Sequence, residues 1–410
     1  MDLKLHKSNV ASASFIKVSG SKSETNRLLL LQALYPSLVL SNQSNSDDSD
    51  VMQKALNGLS EKVSTIDVHH AGTAMRFLTA FFSIQDGKET VLTGSNRMLE
   101  RPISVLVDAL RQLGVQISYL EQDGFPPIKI TGKKIDLSHV TLKADVSSQY
   151  ISAILLIAPK LDNGLEMHLE GEITSLPYIN MTLSLLNQLG VSTSFESNVI
   201  KVQPLNIITT TNVTVESDWS SASYWYSIVA LSAIGTSITL SSYKKNSLQG
   251  DAFLAEIYKD FGVETFFNND NSITIVKEAK AKVRNLNRNL NNCPDIAQTI
   301  AVTCFGLGIG CDLDGLHTLK IKETDRLVAL KEELIKLGAT ISVTDESLLL
   351  KPSKKIIENI VIKTYQDHRM AMAFAPLALR VPIQIEEAEV VSKSYPDYWD
   401  DLKKVGFRIQ

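Results

Sequence analysis

The sequence predicts an α/β protein of two domains, each holding three copies of one helix-and-strand unit. Three observations carry this reading. At 410 residues the chain exceeds what one ordinary hydrophobic core supports. An amphipathic helix closed by glycine and followed by an alternating strand recurs at steps of roughly 70 residues. A second helix series, polar at its start and apolar nearly all round, interleaves with the first at similar steps.

The first series runs "LVDALRQLGVQISYL", "MTLSLLNQLGVSTSF", "FLAEIYKDFGVETFF", "LKEELIKLGATISV" and "YWDDLKKVGFRI", with helix ends at Gly114, Gly190, Gly262, Gly338 and Gly406. Glycine suits the left-handed position that closes a helix. After the first four, the strand passes through a polar turn such as "NNDN" or "TDES" into a second strand, which is a hairpin. The second series is "SKSETNRLLLL", "GTAMRFLTAFF", "SSQYISAILLIA", "SSASYWYSIVAL", "PDIAQTIAVTCFG" and "DHRMAMAFAPLAL". Helices this apolar are expected inside. The first copy is short, by roughly 20 residues, over 41–70. Six units fit two domains of three, with the buried helices parallel and their polar N-termini at one end.

Bulk composition narrows the partners. A net charge of −4 argues against nucleic acid or an anionic membrane. Apolar runs such as "ISAILLIAP" fall short of the ~20 residues a bilayer needs, and "MDLKLHKSNV" lacks a signal-peptide layout, so a cytoplasmic protein is expected. Cys293, Cys304 and Cys311 have no metal-ligand spacing and read as small buried hydrophobes in a reducing compartment. His69 and His70 read as adjacent strand residues on opposite faces, which disfavours shared ligation of a metal. No phosphate loop, dinucleotide fingerprint, H-E-x-x-H or G-x-S-x-G is present, and "GLGIG" reads as a helix end.

The starts of the buried helices carry an electrostatic anomaly. Ser220, Ser221 and Asp295 suit helix caps. Lys22, Arg27, Arg76 and Arg369 do not, because a helix N-terminus is already positive. Cations placed there make sense when an anion joins the unpaired N–H groups. The other series adds Arg101 in "ERPIS", with Pro102 in a first helical turn, and Ser175 and Tyr178 in "TSLPY". "KETDR" sets Lys322 and Arg326 four apart on one helical face beside Glu323, and "SKSYPDY" contributes Lys393. The residues alone point to a metal-free, two-domain enzyme or receptor for a phosphorylated or carboxylated metabolite.

In order along the chain, "GSKSETNR", "AGTAMR", "ERPISVLVDAL", "SSQY", "PDIAQT", "KETDR", "DHRMAM" and "KSYPDY" resemble the enolpyruvyl transferases, and among them the EPSP synthase family. The resemblance implies an inside-out α/β barrel in each of two domains, each of three βαβαββ repeats. One domain would comprise 1–19 with 217–410 and the other 20–216, the active site lying in the cleft between them. It implies transfer of the enolpyruvyl group of phosphoenolpyruvate to the 5-hydroxyl of shikimate 3-phosphate, by a monomer without metal or cofactor. Lys22, Ser23 and Arg27 would hold shikimate 3-phosphate, and Ser147, Ser148, Gln149, Ser175 and Tyr178 would complete that site. Gly72, Arg101, Arg326, Arg369 and Lys393 would clamp phosphoenolpyruvate, with help from Lys22 and Gln149. Gly72 would serve through close backbone approach of the ligand. Lys322 would touch both ligands, Asp295 would take the proton of the 5-hydroxyl, and Glu323 would protonate the methylene carbon. On chemical grounds Glu323 is expected to be raised by desolvation and Asp295 held down by cations.

Three positions depart from the family pattern: His70 and Thr318 where Asn is usual, and Phe77 where Pro is common. The rival within the same fold is the UDP-N-acetylglucosamine enolpyruvyl transferase. It typically has Asn where Ser23 stands and a cysteine near residues 90–100, where this chain has none. A non-catalytic anion-binding relative is the rival of another class; retention of Asp295, Glu323 and every cation speaks against it.

Overall fold

The computed structural model describes residues 1–58, 63–145, 147–173 and 175–410. Thr174 of "TSLPY" therefore lies outside the described residues. The chain divides into two compact units, Met1–Gly20 with Glu216–Gln410, and Ser21–Val215.

One motif builds both. Strand Val63–Asp67 leads into the buried helix Gly72–Ser83, and strand Glu89–Thr93 returns parallel to the first. Helix Ser104–Gln112 follows, then the hairpin Gln116–Tyr119 and Ile128–Thr131, whose second strand lies antiparallel on Glu89–Thr93. The parallel pair recurs as His139–Lys143 with Leu165–Glu170, Ala13–Ile16 with Ser237–Leu240, Asn285–Asn289 with Gly310–Asp314, and Ile360–Ile362 with Ile383–Ile385. In the last of these the N-terminal strand Leu3–Leu5 takes the place of the hairpin. The first repeat is the short one. Among the described residues its sheet pairs only Asn212–Thr214 with Val39–Ser41. Residues 58–62 alone separate helix Asp47–Asn57 from strand Val63–Asp67, and 59–62 lie outside the described residues.

The chain changes unit at equivalent points. Strand Ala13–Ile16 is followed by helix Lys22–Leu34, and strand Asn212–Thr214 by helix Trp219–Leu231. Each strand nonetheless pairs with the strand that follows the other helix. Both changes thus split a strand–helix–strand repeat just ahead of a buried helix. An antiparallel bridge between Gly20 and Ser217 joins the two passing segments.

Helices form the interior. Gly72–Ser83 packs on Ser148–Ile157 and Lys22–Leu34 in one unit, and Ala297–Leu307 packs on Trp219–Leu231 and His368–Phe374 in the other. All of Trp219–Leu231 is buried, including Trp225, Tyr224 and Tyr226. Its interior hydroxyls find partners on the neighbouring helix: Ser223 and Thr299 are 3.0 Å apart, and Thr303 donates to Ser227 at 2.8 Å. The strands alternate instead, as in His139–Lys143, where Val140 and Leu142 are buried and the other three exposed. Among the described residues, no helix is long and apolar enough to cross a membrane.

Glycine closes the expected helices in the left-handed region, as at Gly190 (φ 99°) and Gly338 (φ 95°). Three local expectations change. "KETDR" is not a helical face: Asp325 caps the helix by accepting from Val328 N at 3.2 Å, so Arg326–Lys336 begins after Lys322 and Glu323. Pro102 precedes helix Ser104–Gln112 rather than opening it. His69 and His70 form a turn, with His69 at φ 50° and its N–H donating to Asp67 Oδ1.

Candidate active site

In the unit of residues 21–215, the starts of four helices converge through their side chains. Lys22 opens its helix, with Nζ 3.1 Å from Asp48 Oδ2. Asp48 stands in the first turn of Asp47–Asn57, and its Oδ1 is 3.5 Å from His70 Nε2. Gln149 Nε2 donates to Thr73 Oγ1 at 3.3 Å, tying the Ser148 helix to the Gly72 helix. Ser147 caps the former, its hydroxyl accepting from Gln149 N. Ser148 follows it and is buried. Ser175 precedes helix Leu176–Gln188 in the left-handed region (φ 54°, ψ 42°), and its hydroxyl makes no capping bond. A non-glycine residue held there is backbone strain retained at a site.

Arg27 and Arg76 sit deeper than the anion-binding expectation requires. Each lies one turn into its helix and donates back to the carbonyl four residues earlier, Ser23 O at 2.7 Å and Gly72 O at 3.3 Å. Arg27 is 2% exposed and also donates to Thr182 Oγ1, Ser152 Oγ and Tyr178 O. Burial pulls its pKa down to about 10. Arg76 reaches Pro102 O at 3.0 Å, bracing the segment that carries Arg101. Gly72 lacks a side chain for a protein reason: a Cβ there would lie 2.9 Å from Arg101 Cζ and 2.8 Å from Nη2. The close approach is made by an arginine of the chain itself.

The unit containing 216–410 gathers the carboxyls. Arg326 is 2% exposed and donates to three of them: Asp367 Oδ2 at 2.7 Å, Asp295 Oδ1 at 2.9 Å and Glu323 Oε2 at 2.7 Å. Lys322 Nζ lies 3.5 Å from Asp295 Oδ1, and Arg369 Nη2 lies 3.3 Å from Asp295 Oδ2. Burial opposes charge on Asp295, yet Arg369, Lys322 and Arg326 outweigh it and hold its pKa far below the usual carboxylate range. Asp295 is thus in a short turn, Pro294–Ile296, as an ion-pair partner rather than a cap. The cap of Trp219–Leu231 is Asp218, which accepts from Ser221 N and Oγ. Glu323 is partly buried, its side chain 22% exposed, and its Oε2 accepts from Arg326 Nη2 at 2.7 Å, so a cation stands beside it in addition to the desolvation expected. Lys393 Nζ donates to Gln366 O at 2.7 Å, and Tyr365 and Gln366 both hold left-handed backbone (φ 54° and 55°) ahead of the Asp367 cap.

One unit therefore offers hydroxyls, an amide and cations at helix starts, and the other offers carboxyls interlocked with cations. The sequence model of the family described as EPSP synthase (3-phosphoshikimate 1-carboxyvinyltransferase) matches residues 61–402. A 3-phosphoshikimate 1-carboxyvinyltransferase of Bacteroides fragilis (strain YCH46) is 48% identical over 402 residues, 96% of each chain. The chain belongs to the EPSP synthase family. A relative of the same name from Shewanella halifaxensis is 36% identical, over 95% of this chain and 96% of its own. The fold is that of EPSP synthase from Acinetobacter baumannii (TM-score 0.81, 20% identity, 100% of this chain and 99% of that one). The enolpyruvyl transferase NikO from Streptomyces tendae is also similar in fold (TM-score 0.75, 14% identity, 100% and 98%).

The departures from the family pattern can now be placed. His70 faces Asp48. Phe77 is fully buried, with its ring centroid 5.4 Å from Arg27 Cζ, so it supports a cation. Thr318 is buried, and its hydroxyl has no hydrogen-bond partner among the described residues. Sequence reasoning missed Asp48, Asp367 and Asp251. "SNSDDSD" reads as ordinary first-turn acids. Asp367 is legible only as the polar start of "DHRMAMAFAPLAL", and Asp251 carries no signal in the sequence.

Proposed function

We propose that this member of the EPSP synthase family transfers the enolpyruvyl group of phosphoenolpyruvate to the 5-hydroxyl of shikimate 3-phosphate, releasing phosphate. Similarity to the Bacteroides fragilis relative along nearly the whole chain supports the reaction. The observation that carries the mechanism is the joining of Asp295 and Glu323, the two carboxyls the proton transfers need, through the single guanidinium of Arg326.

In this reading each cluster supplies groups that the reaction needs. Ser23, Ser147, Ser148, Gln149, Ser175 and Tyr178 hold shikimate 3-phosphate by hydroxyl and amide groups, with Lys22 supplying charge. Arg27 acts from one turn below, through its field and by fixing Ser23 and Tyr178. Arg101, Arg326, Arg369 and Lys393 bind phosphoenolpyruvate, joined by Lys22 and Gln149, and Gly72 leaves room for Arg101. Both substrates are polyanions, so their mutual repulsion has to be offset before they react. Planar guanidinium suits phosphate and carboxylate.

Without ligand, Asp295 is too acidic to be an effective base. Phosphoenolpyruvate that shares Arg369, Arg326 and Lys322 takes away part of the charge that depresses it. The carboxylate then becomes basic enough to accept the 5-hydroxyl proton. The same sharing releases Glu323 from Arg326; its protonated form delivers a proton to the methylene carbon as the 5-oxygen bonds to the adjacent carbon, and its carboxylate takes a proton back from the resulting methyl group as the bond to phosphate breaks, which restores the double bond. Lys322 stays beside Asp295 and reaches both ligands. We place the enzyme in the cytoplasm as a monomer, and three free, buried cysteines support a reducing compartment.

The test is phosphate release with phosphoenolpyruvate and either shikimate 3-phosphate or UDP-N-acetylglucosamine. Release with shikimate 3-phosphate alone is expected. Release only with the nucleotide sugar would overturn the assignment, and release with neither would favour a binding protein.

A further inference from the structure

Behind Arg369 lies a carboxyl that none of these steps uses. Asp251 belongs to the short helical turn Gly250–Phe253 and is 4% exposed. The Ser220 hydroxyl donates to its Oδ2, and Arg369 Nη2 donates to the same hydroxyl at 3.3 Å. Arg369 Nη2 is also the atom 3.3 Å from Asp295 Oδ2, and Nη1 donates to Asp295 O at 3.2 Å. A line of contacts therefore runs Asp251, Ser220, Arg369, Asp295. Asp251 Oδ1 and Arg369 Nε have no hydrogen-bond partner among the described residues. An ionised carboxylate this buried ordinarily has both oxygens satisfied.

We propose that Asp251 is a positioning residue for phosphoenolpyruvate binding, whose protonation state sets how much of the Arg369 charge is free for the incoming anion. The proposal rests on the functional reading above, in which Arg369 binds phosphoenolpyruvate. With Asp251 neutral, Asp295 is the acid that balances Arg369, and the guanidinium keeps charge for a phosphate or carboxylate. With Asp251 ionised, a second carboxylate acts on Arg369 through one hydroxyl, and the anion binds less well.

Several groups face Asp251. Ser220 and Asp218 come from the Trp219 helix and its cap, Cys293 and Asp295 from the turn Pro294–Ile296 and the residue before it, and Arg369 from helix His368–Phe374. Burial first, then the charge of Asp295, push the Asp251 carboxyl up to about 7, against the opposing pull of Arg369 and the Ser220 hydrogen bond. An anion on Arg369 weakens that pull and raises Asp251 further, so binding and proton uptake favour each other.

The experiment measures KM for phosphoenolpyruvate at saturating shikimate 3-phosphate, from about pH 6 to about pH 8.5. Wild type, Asp251→Asn and Ser220→Ala are compared. One pKa unit of coupling corresponds to about tenfold in affinity. Wild-type KM is expected to rise about threefold to tenfold more steeply across this range than that of Asp251→Asn, which is locked neutral. Ser220→Ala removes a bond that favours the carboxylate, so Asp251 stays protonated and that profile also flattens. Should Asp251→Asn fail to fold, Ser220→Ala carries the comparison. A purely structural role would lower activity without changing the pH slope. Superimposed profiles in an active enzyme overturn the proposal alone. Absence of phosphate release from wild type at every pH would remove the functional reading and the proposal with it.

Discussion

Among residues 21–215 the buried arginines Arg27 and Arg76 donate to carbonyl, hydroxyl and thioether atoms, whereas in the other unit Arg326 and Arg369 donate chiefly around carboxylates. Neutral acceptors satisfy the donors and leave much of the positive field in place. Carboxylates absorb it. The first arrangement suits a region that attracts a resting anion. The second suits chemistry, because a ligand that shares the cations also changes the basicity of the acids. The two regions begin from the same helix-start geometry and are differentiated by what their arginines face.

The largest expected break in this contrast is Arg326→Leu set beside Arg76→Met. Removing Arg326 leaves Asp367, fully buried, without its ion pair, a loss that costs about 3–5 kcal/mol. Turnover should fall by about 10²–10³ as well. Removing Arg76 leaves only neutral acceptors unpaired and should cost about 1–3 kcal/mol, with turnover little changed. Urea unfolding and phosphate release on both variants check this. Equal losses in stability and turnover would erase the distinction.

A smaller effect is expected from Gly72→Ala, which sharpens the binding side. The added Cβ meets the far end of the Arg101 side chain, so Arg101 swings away and the fold survives. Loss of a charge-assisted contact costs about 1.5–3 kcal/mol, and KM for phosphoenolpyruvate should rise roughly tenfold or more. The melting temperature should hardly move. A large drop in melting temperature with unchanged KM would place Gly72 in the packing instead.

Much of the fold was legible because backbone requirements leave local traces. The glycines at 114, 190, 262, 338 and 406 all adopt positive φ at helix ends, as the periodicity implied. Apolar runs such as Leu28–Leu31 are buried as their composition demands. Parts of the site were legible by type, since cations at helix starts are anomalous in any sequence. Their partners were not. Arg27 is buried beneath Ser23 by contacts from Ser152 and Thr182, residues that resemble ordinary helix interior. Lys322 and Arg326 meet because Asp295, distant in sequence, attracts both, and not through helical spacing. Asp251 gave no signal, because its burial and its contact with Ser220 arise only from tertiary packing.

The mechanism requires that proton transfer be separable from substrate capture. The direct measurement is calorimetric titration of Glu323→Gln with shikimate 3-phosphate, run alongside phosphate release by the same variant. Binding within about threefold of wild type, with turnover lowered about 10²–10⁴-fold, is the predicted result. Turnover within about tenfold of wild type would contradict an acid role for Glu323 and the division of labour built on it.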